Sequence, residues 1–210
     1  MKTVLAFGDS LTWGSDPAAN SRHPYASLWP TVLEAGLGGA ARVVHEGLGG
    51  RTTCFDDFSG PCDRNGARVL PMLLSSHMPI DLVVIMLGTN DLKPALCGTA
   101  IGAAAGMKRL VQIVRTHPYD KPGFPVPKVL IVAPPLCRAM ADGVPVSGRI
   151  VAESEAIAPA YRALAAEVGT GFFDAAKVAE ASPVDGVHLS AEATEAIGRA
   201  LVGPVGEMLA

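Results

Sequence analysis

The chain has 210 residues, of which 49% are hydrophobic and 18% charged, against about 25% charged in an average soluble domain; this length suits one α/β domain over residues 1–210, with apolar material for a core and some left over for a subunit interface. A net charge of −3 offers no basic surface to nucleic acid or an anionic membrane, and no apolar stretch reaches the roughly 18 to 20 residues of a membrane span. The mean hydropathy of +0.32 points, like the composition, to a homo-oligomer.

Met1-Lys2-Thr3 runs directly into Val4-Leu5-Ala6-Phe7, which predicts a first strand over 2–8 that Gly8 cuts off. No secretory signal precedes it, so a cytoplasmic location is expected. A helix is predicted over 27–37, with Leu28, Trp29, Val32 and Leu33 on one face and Pro30 tolerated in the first turn. A second strand, 42–46, leads into a long connection, 51–66. Helix 67–77 aligns Leu70, Leu73 and Leu74, and strand 81–87 is continuously apolar after Asp81. Helix 99–116 carries Met107, Leu110, Val111 and Val114 behind a Thr99 cap. Strand 127–133 opens a second long connection, 134–148. Helix 149–168, short strand 171–174 and helix 190–209, capped by Ser190 and bent at Gly203-Pro204, complete the chain.

This alternation predicts a three-layer α/β/α sandwich around a parallel five-stranded sheet. In such sheets the site lies beyond the carboxyl ends of the strands, where both long connections begin. Cys54, Cys62, Cys97 and Cys137 are widely spaced and contain no CxxC pair; they are expected to be reduced thiols.

Four segments carry chemistry. Gly8-Asp9-Ser10-Leu11-Thr12-Trp13-Gly14 falls where the first strand ends. A turn there can expose a serine hydroxyl to a substrate and aim its backbone N–H at a carbonyl oxygen; taken alone, it is equally a βα turn with Asp9 and Ser10 as turn formers. Asp185-Gly186-Val187-His188 precedes the last helix. Its spacing lets one short loop present a carboxylate to an imidazole that faces the serine, although an isolated Asp-x-x-His is more often a solvated turn. Of the other histidines, His23 and His117 precede prolines, His45 ends a strand and His77 closes a helix; none has a carboxylate spaced like Asp185. Gly88-Thr89-Asn90-Asp91 ends the strongest strand and can aim an amide N–H into the same crevice. In Gly47-Leu48-Gly49-Gly50-Arg51-Thr52-Thr53, glycine at 50 lets the backbone approach a ligand closely, while the segment matches no phosphate-binding pattern.

Together the four segments resemble the four blocks of the SGNH/GDSL hydrolase superfamily, in order and across nearly the whole chain. The resemblance implies a flavodoxin-like SGNH fold. It makes Ser10 the nucleophile, Asp185 and His188 the rest of a triad, and Ser10, Gly50 and Asn90 the oxyanion donors, with no metal and no cofactor. Phe7 to Gly14, Glu46-Gly47-Leu48 with Arg51-Thr52-Thr53, Ile85 to Asp91 and Asp185 to His188 are most similar to the arylesterase/acyltransferase subgroup. That likeness implies small-molecule ester substrates, water, alcohols or peroxide as acyl acceptor, and homo-oligomers up to octamers. Gly49-Gly50 stands where a Ser-Ala pair can occur, and Ser15-Asp16 where a bulky aromatic can; both departures widen or wet the pocket and favour hydrolysis over acyl transfer. Trp13, three residues past the nucleophile, and Leu136 are the candidate substrate-binding residues, followed by Phe55 and Phe58. The competing readings are a carbohydrate O-acetylesterase of the same superfamily and a non-catalytic flavodoxin-like ligand-binding protein.

Overall fold

The computed structural model describes residues 1–140, 143 and 145–210; Ala141, Asp142 and Val144, within the predicted 134–148 connection, lie outside the described residues. Five strands form one parallel sheet: β1 (Lys2–Gly8), β4 (Ala41–Gly47), β5 (Leu82–Met86), β6 (Lys128–Ala133) and β7 (Gly171–Asp174), in the order β4-β1-β5-β6-β7. Between β1 and β4 lie a one-turn helix α1 (Ser10–Trp13), a two-residue ribbon of β2 (Ser15–Asp16) and β3 (Ser21–Arg22), and helix α2 (Trp29–Gly36). The remaining helices are α3 (Gly66–His77), α4 (Ala100–Thr116), α5 (Val151–Val168) and α6 (Ala191–Leu209).

The three central strands β1, β5 and β6 read as apolar runs because both faces are covered, whereas edge strand β4 carries Arg42, His45 and Glu46. Side chains alternate across the sheet. Leu5, Phe7, Val83, Ile85, Val129 and Ile131 pack on one side against Leu70 and Leu74 of α3, Met107 and Leu110 of α4, and Ile157 and Tyr161 of α5. Val4, Ala6, Leu82, Val84, Leu130 and Val132 pack on the other against Trp29 and Leu33 of α2 and Ile197, Leu201 and Val205 of α6. These layers are the predicted three-layer sandwich.

The chain leaves β1 for β4 on one side and returns to β5 on the other, so the strand order reverses beside β1. Such a reversal leaves a crevice at the carboxyl ends of β1 and β5, where the Ser10 and Asn90 segments begin. The predicted caps form: Thr99 accepts from the Gly102 N–H at 3.2 Å and Ser190 from the Ala193 N–H at 3.2 Å. Helix α6 runs Ala191–Leu209 with Pro204 inside it, within the predicted bounds. One expectation is corrected: helix α5 starts at Val151, which leaves Arg149 in an extended segment ahead of it.

Candidate active site

Ser10 is held by a turn that only small residues permit. Asp9 caps α1, its Oδ1 accepting from the Leu11 N–H at 2.9 Å. Gly14 closes the turn with φ +92°, its N–H donating to the Ser10 carbonyl at 2.8 Å. A Cβ on Gly8 would stand 2.0 Å from Thr12 Oγ1, and one on Gly47 of β4 2.3 Å from the Trp13 nitrogen. The turn is therefore pressed against its two neighbouring strands.

The loop before α6 carries Asp185 and His188. Gly186 has φ +70°, and a Cβ there would stand 2.0 Å from the Arg138 carbonyl oxygen; the Arg138 N–H in turn donates to the Gly186 carbonyl at 2.7 Å. Asp185 Oδ1 accepts from the backbone N–H groups of Val187 and His188, both at 2.9 Å, and Oδ2 lies 2.5 Å from His188 Nδ1. Burial works against the ionised Asp185, but these three hydrogen bonds outweigh it and hold the carboxyl below its ordinary value. His188 Nε2 is 2.9 Å from Ser10 Oγ. A hydroxyl at that distance can pass its proton to an imidazole whose tautomer a carboxylate fixes.

Two other histidines find a carboxylate through the fold. The fold brings Asp16 Oδ2 to 3.7 Å from His23 Nδ1 and Glu46 Oε1 to 2.8 Å from His77 Nε2, pairings that no local spacing announced. His117 Nε2 meets Ser75 Oγ at 3.2 Å. Among the described residues, only His188 touches both a carboxylate and a serine.

Asn90 lies between the other two segments. Its Nδ2 donates to Asp9 Oδ2 at 3.2 Å and to the Arg51 carbonyl at 3.1 Å, and its Oδ1 accepts from Arg149 Nη2 at 2.9 Å. Gly50 precedes Arg51 with φ +81°, and the Leu48 N–H donates to the Gly8 carbonyl at 3.2 Å, which fastens this loop to the end of β1. The structure thus gathers Ser10, Asp185, His188, Asn90 and the Gly50 loop at one end of the sheet. Trp13 follows in the same turn, 36% exposed, with the Arg22 guanidinium 5.2 Å over its ring. Leu136 instead lines a cavity of ≈ 370 Å³ with Cys137, Arg138, Val151, Ala179 and Ala181, which neither Ser10 nor His188 borders. Phe58 is 87% exposed.

Beneath the crevice lie charged groups that the sequence reading did not single out. Burial pushes Asp9 up to about 6, against the pull of the Leu11 N–H and of the charges of His188, Arg149 and Arg51. Asp91 is pushed up to about 7 by burial while Thr53 donates to it through both N–H and Oγ1. Arg51 donates through Nη1 to the Gly8 and Glu46 carbonyls, its guanidinium 4.4 Å from the centre of the Phe7 ring. Nothing in the sequence pattern marks an Arg or Asp as buried, because that depends on the tertiary contacts. All four cysteines are free thiols. Among the described residues no group of three or more His, Cys, Asp or Glu could hold a metal ion, and no helix is long and apolar enough to cross a membrane.

Residues 6–196 match the GDSL-like Lipase/Acylhydrolase family. The structure is similar to that of a candidate arylesterase from Agrobacterium tumefaciens str. C58, with 62% identity, all of both chains covered and a TM-score of 0.97. It is also similar to a carbohydrate acetylesterase family member from Sinorhizobium meliloti, at 49% identity and TM-score 0.95, covering 100% of this chain and 99% of that one. The M. smegmatis aryl esterase matches at 38% identity over the whole of both chains, with a TM-score of 0.91. No functionally curated protein sequence matches the chain. With nine-tenths of its length matched and the Ser, Gly, Asn and His segments at one end of the sheet, the chain belongs to the GDSL-like lipase/acylhydrolase family.

Proposed function

We propose that the chain is a serine esterase that hydrolyses short-chain and aryl carboxylic esters through an acyl-enzyme on Ser10. The observation that carries this reading is the relay Asp185 Oδ2–His188 Nδ1 at 2.5 Å and His188 Nε2–Ser10 Oγ at 2.9 Å. His188 takes the hydroxyl proton as Ser10 attacks the ester carbonyl, and the imidazolium is stabilised by Asp185. The oxyanion accepts from the backbone N–H groups of Ser10 and Gly50 and from Asn90 Nδ2. His188 then protonates the departing alcohol, and water, activated by the same imidazole, releases the acid. Both Asn90 N–H groups are engaged without substrate, so the oxyanion displaces either the Asp9 or the Arg51 acceptor; each oxyanion donor contributes about 2.7–4 kcal/mol in the transition state.

Residues 1–210 act as one hydrolase domain in this reading, Trp13 borders the acyl site, and an alcohol or peroxide replaces water as acceptor where the pocket admits it. Ser10→Ala is expected to keep the fold, read by circular dichroism, and to lose nearly all turnover of p-nitrophenyl acetate. Turnover at the wild-type rate overturns the scheme. A second reading, deacetylation of a sugar, is favoured by the 49% identical carbohydrate acetylesterase family member. The ratio of rates on acetylated sugars and aryl acetates separates the two.

A further inference from the structure

Arg149 lies in the extended segment ahead of α5 and is 4% exposed. Its guanidinium donates from Nε to the Thr89 carbonyl at 2.8 Å, from Nη2 to Asn90 Oδ1 at 2.9 Å and from Nη1 to the Val146 carbonyl at 2.5 Å. One edge of a rigid planar fork therefore grips two consecutive residues beyond β5, a geometry that a lysine ammonium cannot reproduce.

The two ends of an asparagine side chain have nearly the same shape and opposite chemistry. Which end faces a site is decided by what surrounds it. Arg149 can only donate, so the oxygen of Asn90 must face it. On the opposite side the Asp9 carboxylate and the Arg51 carbonyl can only accept, so the NH2 group must face them, toward the Ser10 turn and the Gly50 loop. A flipped amide would bring an oxygen toward the forming oxyanion and a donor against the guanidinium. Both contacts would be repulsive.

We infer that Arg149 is a positioning residue that locks the Asn90 amide with its donor end toward the Ser10 turn before the oxyanion forms. The inference rests on the proposed role of Asn90 as an oxyanion donor.

A double-substitution cycle on p-nitrophenyl acetate tests it, using R149M, N90A and the pair. N90A is expected to lower kcat about 10²–10³-fold. R149M is expected to lower kcat about tenfold with KM little changed, because the donor remains but is no longer fixed. In the N90A background, R149M should change kcat by less than about twofold, since nothing is left to position. An R149M loss of equal size with and without Asn90, or no loss at all, overturns the role of Arg149 alone. N90A at the wild-type rate overturns the assignment of Asn90, and with it this inference. If R149M does not fold, as judged by melting and near-ultraviolet dichroism, R149A, which likewise removes every donor, goes through the same cycle, with the same results deciding.

Discussion

Asp185 receives three hydrogen bonds, two from the backbone of its own loop and one from His188. The two backbone bonds fix the carboxylate independently of the imidazole, so Asp185→Asn is expected to leave the loop in place while presenting a donor where His188 Nδ1–H needs an acceptor. The imidazole then adopts the wrong tautomer, and kcat should fall by about 10⁴-fold with little change in melting temperature; steady-state kinetics beside a thermal melt read both. This pair was legible in the sequence because an acid and a base three residues apart meet without help from the rest of the fold. The network around Asn90 was not. Asp9 reads as an ordinary turn former and position 149 as the start of a helix, and only the packing of β1, β5 and the segment before α5 shows both residues to be buried.

Glycines with a stated steric duty govern the elements that carry the site. Gly186 needs φ +70° and has the Arg138 carbonyl where a Cβ would go. Gly186→Ala must therefore move the 182–188 loop away from the 134–138 segment, and His188 with it. Turnover should drop at least about 10²-fold, the cost of roughly an ångström of misplacement, and unchanged kinetics would show that the loop tolerates the shift. Element boundaries were mostly legible: all five sheet strands fall within a residue or so of the predicted ranges, most clearly β5 and β6, where Val and Ile at neighbouring positions suit a strand covered on both faces. Helix α1 and the β2–β3 ribbon were not. Four and two residues are too few for a 3.6- or 2-residue period to register, and α1 sits against β1 and β4 because Gly8 and Gly47 have no Cβ to meet it.

At the scale of the whole molecule, buried carboxyls set how stability responds to pH. Asp91 stands at about 7 in the folded protein against an ordinary 3.8, so the folded state holds this proton more tightly than the unfolded chain. That contribution is complete below about pH 4 and is lost as pH rises through about 7. Asp9, at about 6, acts in the same sense; Asp185, held low, acts in the opposite sense and contributes above its unfolded value. Asp91→Asn keeps an oxygen for Thr53 and removes the ionisation, so its melting temperature should decline less than that of the wild type between about pH 4 and 7. Parallel curves would exclude Asp91 as the source. The layered architecture was legible from the alternation of apolar runs, but the strand order was not, because pairing β1 with both β4 and β5 is a choice among long-range partners.

That pairing has a consequence for biosynthesis. Ser10 leaves the ribosome 178 positions ahead of His188, the base proposed for it. A nascent polypeptide thus displays that hydroxyl before the segment bearing His188 has emerged and docked, and under the proposed mechanism it is not acylated by cellular esters until then. Cleavage anywhere between the two should likewise give fragments that are inert apart and recover activity only on reassociation.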